Sequence, residues 1–189
     1  CTDVQVNIVT EKLFKKYRSA RAFTKIELPE LQNDIRRIGL FRNKAKNIQA
    51  CCAKLIERHD GEVPQTMEEL VDLNGVGRKT ANVVLGNAFN INHGVVVDTH
   101  VARLVRRLGW MDEATSRDPV KAEHALGALF PRGDWTMLCH RLIFHGRRCC
   151  HAKKPACGAC PVARWCPAFG EGPTDPEAAA ALVTTRGPA

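Results

Sequence analysis

The chain has 189 residues, enough to bury a hydrophobic core in one large domain or two small ones. Its 28 Lys and Arg outnumber its 20 Asp and Glu, and the net charge of +8 favours a polyanionic partner such as nucleic acid. There is no signal peptide and no apolar run near the ~20 residues of a membrane span, so we expect an intracellular protein without a membrane partner. The chain opens on Cys1 rather than Met, so we expect a further N-terminal piece.

Apolar residues recur at helical spacing along most of the sequence. The predicted helices span residues 3–13, 29–38, 43–59, 66–73, 78–88, 99–108, 118–130 and 134–146. Thr2 or Asp3 can cap the first of them. Thr66 and Glu69 have the spacing of a capping box, and Asp118 precedes a proline at the first helical position. The three valines 95–97 are the one candidate strand and have no partner run, so the sequence predicts an all-α fold.

The helical period stops after residue 146. Residues 147–170 are rich in proline, glycine, basic residues and cysteine, and such a segment cannot bury itself by amphipathic packing. Residues 171–189 are rich in alanine and proline and poor in aromatic residues. We expect this tail to be loosely ordered or to lie along the surface.

Seven of the nine cysteines fall into two kinds, and the other two are Cys1 and Cys149. Cys51, Cys52 and Cys139 lie within helical patterns, where a cysteine is usually a small buried apolar residue. Four others have the spacing C-x6-C-x2-C-x5-C in a stretch without a helix; these are Cys150, Cys157, Cys160 and Cys166. Because an intracellular compartment argues against disulfides, four thiols at this spacing indicate a metal site.

A [4Fe–4S] cluster is the favoured occupant of this site. Tetrahedral zinc usually takes two paired C-x2-C knuckles, and the sequence has one, whereas an iron–sulfur cluster is larger and suits four ligands around one loop. Nearby cations can balance the negative charge of such a cluster; these are Arg147, Arg148, Lys153, Lys154 and Arg164. Zinc and a loop without metal are the alternatives. Cys149 could compete with Cys150 as the first ligand, but the spacing favours Cys150.

The stretch LNGVGRKTANVVLGNAF, residues 73–89, joins two predicted helices through a glycine hairpin. It lacks the Gly-Lys pair of a Walker loop, and it lacks the third glycine and the preceding strand of a dinucleotide fingerprint. Gly75 and Gly77 allow a tight turn and a close approach of the backbone to a ligand, and the N–H groups that open the next helix attract an anion. In a basic chain that anion is a nucleic-acid phosphate. A glycine turn that only joins two packed helices is the alternative.

The sequence VDTH, residues 97–100, follows the hairpin helix. Asp98 is placed as an N-cap for the helix that begins at Thr99, and capping alone would ordinarily explain it. Lys79 alone would ordinarily be a solvated lysine near a helix start. Hairpin, lysine, aspartate and four-cysteine loop in this order, however, form a specific combination.

That combination resembles the endonuclease III family, bifunctional DNA glycosylases and abasic-site lyases of the helix-hairpin-helix glycosylase superfamily. The matching stretches are TDVQVN, IGLFRNKAKNI, GEVP, GVGRKTANVVLGNAF, VDTH and HGRRCC, and the resemblance continues to Cys166. It implies two helical lobes with a DNA cleft between them. A six-helix barrel with the helix-hairpin-helix would span residues 1–93, an iron–sulfur lobe residues 94–169, and a tail outside the resemblance residues 170–189.

The resemblance also implies a role for each matching residue. Lys79 matches the nucleophilic lysine and Asp98 the catalytic aspartate, while Leu40 matches the residue that wedges into the DNA stack beside the expelled base. The phosphate-binding hairpin would be Gly75, Val76 and Gly77, and the cluster ligands would be Cys150, Cys157, Cys160 and Cys166. The cluster would shape a DNA-binding loop rather than perform redox catalysis.

Two features depart from the family pattern. Asn74 stands where a proline usually precedes the first hairpin glycine, which can loosen the turn. The family's N-terminal helix, and the glutamine that fills the vacated base position, would precede Cys1.

The implied activity is the removal of oxidised pyrimidines from duplex DNA, followed by β-elimination at the abasic site through a Schiff base on Lys79. The implied partner is double-stranded DNA that contains oxidised pyrimidines or abasic sites, bound by a monomer in the cytoplasm at the nucleoid. A monofunctional adenine-specific mismatch glycosylase is the nearest alternative, but it lacks a lysine at this position. A DNA-binding or zinc-ribbon module without catalysis is the alternative from another class.

Overall fold

A computed structural model of the chain describes residues 3–184 and places them in helices and loops. The α-helices are α1 (Asp3–Lys16), α2 (Ala20–Lys25), α3 (Leu28–Asp34), α4 (Phe41–His59), α5 (Met67–Asp72), α6 (Arg78–Ala88), α7 (Thr99–Arg107), α8 (Glu113–Arg117), α9 (Pro119–Leu129), α10 (Trp135–Arg148) and α11 (Pro176–Ala180). Short 3-10 turns lie at Arg132–Asp134, Cys157–Ala159 and Ala163–Trp165. No strand forms within residues 3–184, which confirms the all-α prediction. Thr2, a candidate first cap, lies outside the described residues.

The contacts divide the chain into two compact units, and the division falls inside α6, between Ala81 and Asn82. The lobe boundaries implied by the resemblance, 1–93 and 94–169, stay a prediction. Among the described helices, none has the length and apolar character needed to cross a membrane.

The first unit is built on α1 to α5. Its core contains apolar side chains from α1, α2, α3 and α4 and from the turns between them; they are Val9, Leu13, Tyr17, Phe23, Leu31, Ile35, Ile38 and Ala45. The predicted helix 29–38 ends early, at Asp34, but Ile35 and Ile38 remain buried in the turns that follow. Burial therefore follows the predicted pattern even where the helix does not.

The second unit contains α7 to α11. The three valines 95–97 are buried in its core as an extended segment rather than a strand, and they pack with Val101 and Leu104 of α7. The Val96 N–H donates to Cys139 Sγ on α10 at 3.1 Å. Burial raises the pKa of Cys139 to about 11, so this cysteine is a neutral core side chain near pH 7.

Residues 171–184, which we call the C-terminal strap, pack against the cysteine-rich segment. Ala179 is fully buried and packs in one apolar cluster with Cys149 and Ala156. The Thr184 N–H donates to the Arg148 carbonyl at 2.9 Å, and His151 Nε2 lies 2.8 Å from the Leu182 carbonyl. Of the two arrangements expected for the tail, the described part has the second, because it lies along the cysteine-rich segment in fixed contacts.

Candidate active site and metal centre

The glycine hairpin lies between α5 and α6 in the first unit. The Val76 N–H donates to the Leu73 carbonyl at 3.1 Å and closes a tight turn. Gly75 takes a φ of +78°, in the left-handed region where a side chain is strained, and a Cβ there would lie 3.0 Å from the Asn47 side chain. The Gly77 carbonyl accepts from the Ala81 N–H at 2.9 Å and so opens α6. The hairpin geometry thus requires glycine at position 75.

Lys79 is the second residue of α6 and is exposed. The first turn of any α-helix has N–H groups that find no acceptor within the helix, and together with the helix dipole they favour a bound anion. The geometry therefore favours an anion near the start of α6, within one helical turn of Lys79.

Leu40 is the N-cap residue of α4 and is unusual in two ways. Its backbone lies in the left-handed region, at φ 58° and ψ 32°, which is rare and strained for a branched side chain. Its side chain is 77% exposed, the highest value among the exposed large apolar residues. The flanking residues 36–46 contain five cations and no carboxylate; the cations are Arg36, Arg37, Arg42, Lys44 and Lys46. An exposed, strained leucine within a basic segment fits a wedge that enters DNA.

Substitution Leu40→Ala tests this wedge. We expect base excision from a paired, damaged duplex to fall about tenfold or more, because a wedge helps to meet the few kcal/mol that unstacking costs. Cleavage at a preformed abasic site, which needs less unstacking, should fall much less. Leu129→Ala is the control, since Leu129 is also exposed, at 55%. Single-turnover rates on the two substrates measure the difference, and equal losses on both would contradict the assignment.

Asp98 is the N-cap of α7 in the second unit and is half-buried. Its Oδ1 accepts from the His100 N–H and the Val101 N–H, both at 2.8 Å. Among residues 3–184, no hydrogen bond involves the other carboxylate oxygen. Capping thus occupies one oxygen and fixes the side chain, and the second oxygen stays available for a further role.

The same helix reaches the cysteine-rich segment through Arg103. Its guanidinium donates to the Cys150 carbonyl at 2.9 Å and to the Gly146 carbonyl at 3.0 Å, and Nη2 lies 3.2 Å from His100 Nδ1. Burial lowers the pKa of His100, partly offset by the Asp98 carboxylate, so its imidazole is neutral at pH 7.

The four predicted cluster ligands lie around one pocket in the second unit, together with apolar side chains such as Leu104, Val162 and Phe169. Burial raises the pKa of Cys166, a backbone hydrogen bond from Ala168 lowers it, and the charges of Cys150, Cys160 and Cys157 raise it. Cys149 also lines the pocket, so five cysteines surround it. An iron–sulfur cluster requires four thiol ligands, and the predicted set supplies them. The residues fit the cluster.

Arg107 was not predicted from the sequence as part of this site. It is only 7% exposed, and its Nη1 lies 3.3 Å from Cys150 Sγ and donates to the His151 carbonyl at 2.7 Å. Its Nε pairs with Glu171 of the strap at 2.6 Å. Arg107 therefore places a buried positive charge beside the sulfur of Cys150, a predicted ligand. Arg107 follows Arg103 by four residues, so both lie on one face of α7. This spacing was the signal in the sequence that could have identified Arg107.

Two further side chains lie beside the ligands. Ligand atoms of His145, Cys149 and Cys160 all lie within 4.8 Å of one another, and His145 Nε2 is 3.6 Å from Cys160 Sγ. The buried Cys149 thiol is 3.7 Å from the Ala156 carbonyl. Burial, together with neighbouring thiols, raises the pKa of Cys149 to about 12. The structure thus adds His145 to the surroundings of the cluster and gives Cys149 a backbone partner of its own.

Substitution Cys157→Ala tests the ligand assignment. The purified chain should contain about four iron atoms, the content of one [4Fe–4S] cluster, and the variant should lose them together with much of its DNA affinity. Cys51→Ala, at a half-buried cysteine in the first unit, is the matched control and should keep its iron. Iron and sulfide analysis measures the outcome. One zinc without iron, or full iron content in Cys157→Ala, would show that the assignment is wrong.

Models of two known protein families match the sequence of this chain. The family model described as "HhH-GPD superfamily base excision DNA repair protein" matches residues 1–132, and that for the iron-sulfur binding domain of endonuclease III matches residues 150–166. The second match, together with the four convergent cysteines, confirms the prediction of a [4Fe–4S] cluster. The four individual ligands stay a prediction.

Curated relatives and solved structures agree with these matches. Endonuclease III of Synechocystis sp. is 52% identical over 167 residues, which cover 88% of this chain and 75% of that protein. Endonuclease III of Bacillus subtilis is 47% identical over 169 residues, or 88% of this chain and 74% of that one. A trapped Endonuclease III–DNA covalent intermediate, an estranged-adenine complex, is 46% identical with a TM-score of 0.85 over 89% of this chain and 78% of that one. A non-covalent Endonuclease III–DNA complex has a TM-score of 0.84 over the same shares. The chain therefore belongs to the endonuclease III family of base excision DNA repair proteins.

Proposed function

We propose that this chain removes oxidised pyrimidines from duplex DNA and then cleaves the abasic site, with Lys79 as the nucleophile and Asp98 as the catalytic carboxylate. Family membership supports the class of reaction, a DNA glycosylase with abasic-site lyase activity. The observation that supports the lyase step is the position of Lys79, an exposed amine in the first turn after a glycine hairpin. Phosphate binding alone would not require an amine at position 79, whereas the lyase step does.

The proposed reaction begins with extrusion of the damaged nucleotide from the stack, because a base inside a duplex cannot be reached. Leu40 enters the gap, and the backbone N–H groups of the hairpin and of the first turn of α6 hold a phosphate. These contacts are independent of sequence and position the sugar rather than read the base.

The neutral Lys79 amine then attacks the sugar C1′, a C–N bond forms, and the bond to the base breaks. The base leaves with the electron pair and takes up a proton, while the amine loses a proton. Opening of the sugar ring gives an imine between Lys79 and C1′. Loss of a proton from C2′ then expels the 3′ phosphate by β-elimination, and water releases the enzyme.

Asp98 has two tasks in this scheme. Its carboxylate stabilises the positive charge that develops on the sugar as the base leaves, and it takes up the proton of the lysine amine. The cap of α7 holds the side chain in one orientation while it acts. A fixed carboxylate costs little reorganisation when the charge appears.

The residues proposed to hold the cluster are Cys150, Cys157, Cys160 and Cys166. Bound there, the cluster would cross-link the loop covalently and would take no part in the transfer steps. Arg107, which contacts Cys150 Sγ, would balance part of its negative charge, and Arg103 ties the Cys150 carbonyl to α7.

We further propose that the enzyme acts as a monomer at the nucleoid in the cytoplasm, where its substrate lies. A direct test uses three duplexes that carry an oxidised pyrimidine, an abasic site or no damage. Excision from the first, strand cleavage of the second and no action on the third are expected. Binding of all three without cleavage would contradict the proposal and favour a DNA-binding module.

A further inference from the structure

A buried polar pair lies in the second unit, between α6 and α9. Asn82 and Glu123 are only 4% and 7% exposed, and the Asn82 Nδ2 amide donates to Glu123 Oε1 at 3.2 Å. Asn82 Oδ1 is also buried, and it accepts no hydrogen bond among residues 3–184. A buried carboxyl group and an unsatisfied amide oxygen both cost stability. A pair kept at such a cost calls for an explanation beyond packing.

The backbone of Gly94 passes directly against this pair. A Cβ atom added at Gly94 would collide with Glu123 Oε1 and would lie 2.8 Å from Asn82 Nδ2. The backbone of Gly94 does not have a positive φ, so the requirement for glycine here is one of space alone. Glycine at position 94 therefore lets the chain rest on the carboxyl group of Glu123.

Gly94 begins the short segment that ends at Asp98. The three valines between them are buried. The segment is anchored in its middle by the hydrogen bond from Val96 to Cys139, and at its end by the cap that Asp98 forms on α7. The contact of Gly94 with the pair is the anchor at its start. A shift of Gly94 would be transmitted through only three residues to the Asp98 carboxylate.

We infer that Asn82 and Glu123 are positioning residues for Asp98, which act by fixing the path of residues 94–98. They do not contact the reacting atoms themselves. The inference rests on the proposed function, because it assigns a task to the pair only if Asp98 takes part in base excision. It explains why a costly buried pair lies against the start of this segment.

Gly94→Ala is the first test. The added methyl group must displace either the Glu123 carboxyl group or the segment, and both movements break the contact. We expect the rate of base excision, counted per molecule that borohydride can trap on DNA, to fall about tenfold, since small misplacements near the chemistry cost this much or more. The affinity for DNA should change less than about twofold, because the hairpin and the wedge are untouched. Gly133→Ala is the matched control, since a Cβ at Gly133 meets nothing within 4 Å.

Glu123→Asp supplies the rescue. It withdraws the carboxyl group by one methylene, so alone it loosens the contact, and we expect excision to slow about threefold. Combined with Gly94→Ala it makes room for the added methyl group, so the double variant should excise faster than Gly94→Ala alone. A merely structural role would lower the melting temperature and the trappable fraction and leave the rate per trappable molecule unchanged.

Several results would overturn the inference. One is an excision rate per trappable molecule that is unchanged in Gly94→Ala. Another is a double variant whose excision rate falls by the product of the two single fold-losses. If Gly94→Ala does not fold, Glu123→Asp alone tests the inference. An excision rate per trappable molecule equal to that of the wild type in Glu123→Asp would then overturn it. Failure of the wild-type chain to excise or to be trapped would instead overturn the proposed function, so the two failures are distinct.

Discussion

Lys79→Gln should abolish both covalent trapping on abasic DNA and strand cleavage, while DNA binding stays nearly intact. Glutamine keeps the approximate length and polarity of lysine but has no amine, so no imine can form for borohydride to reduce. In the proposed binding mode the hairpin holds phosphate through backbone groups, so we expect its contribution to affinity not to depend on this side chain. Gel analysis of borohydride-treated mixtures and of cleaved strands measures both effects.

Lys121→Gln is the control for this substitution. Lys121 is also an exposed lysine in the first turn of a helix, α9, so its replacement removes the same charge from a comparable position. It should trap and cleave at the wild-type rate. If Lys79→Gln does so as well, the lyase assignment is wrong, and the hairpin is then a phosphate clamp in a protein whose chemistry lies elsewhere.

Asp98→Asn should slow base excision by about 10²–10³-fold, because stabilisation of charge in the transition state is worth roughly 3–4 kcal/mol. Asparagine caps helices about as well as aspartate, so its Oδ1 can keep both hydrogen bonds to the first turn of α7. The stability of the chain should fall by less than about 1 kcal/mol, the typical value of a charge at a helix N-terminus. Single-turnover excision and thermal unfolding separate the two effects.

Asp118→Asn is a closely matched control. Asp118 caps α9 with the same geometry, since its Oδ1 accepts from the Val120 N–H at 3.0 Å and the Lys121 N–H at 3.1 Å. The two substitutions should change stability alike, and only Asp98→Asn should lose excision. Equal excision rates in Asp98→Asn and Asp118→Asn would show that Asp98 only caps α7.

Much of the fold was predictable from the sequence because most helices carry their signals locally. The helix 78–88 was predicted with its observed bounds, and Thr66 forms the expected cap, since its side chain accepts from the Glu69 N–H at 3.3 Å. Helices α2, α8 and α11 were missed because six, five and five residues are too few to show a helical period. For α3, Ile35 and Ile38 are buried beyond the end of the helix. Their positions continue the helical spacing of apolar residues, so the sequence predicted a longer helix than the structure has.

The candidate site was predictable only where its residues form motifs along the chain. The hairpin, Lys79, Asp98 and the four cysteines all belong to short patterns, and the confirmed family relationship follows from their order. The left-handed backbone of Leu40 has no signal in the local sequence, because leucine rarely adopts this conformation. The contacts of Arg107 and Glu123 join residues more than 40 positions apart, so a sequence without its fold does not show them.

The C-terminal strap has a consequence for how long a bound cluster is retained. Residues 171–184 follow all four predicted ligands along the chain and pack on the segment that carries them. Ala179 is buried and the Thr184 N–H is bonded to the Arg148 carbonyl, so the strap must open locally before this side of the loop is exposed. We therefore expect the strap to slow the escape of iron from a cluster already in place.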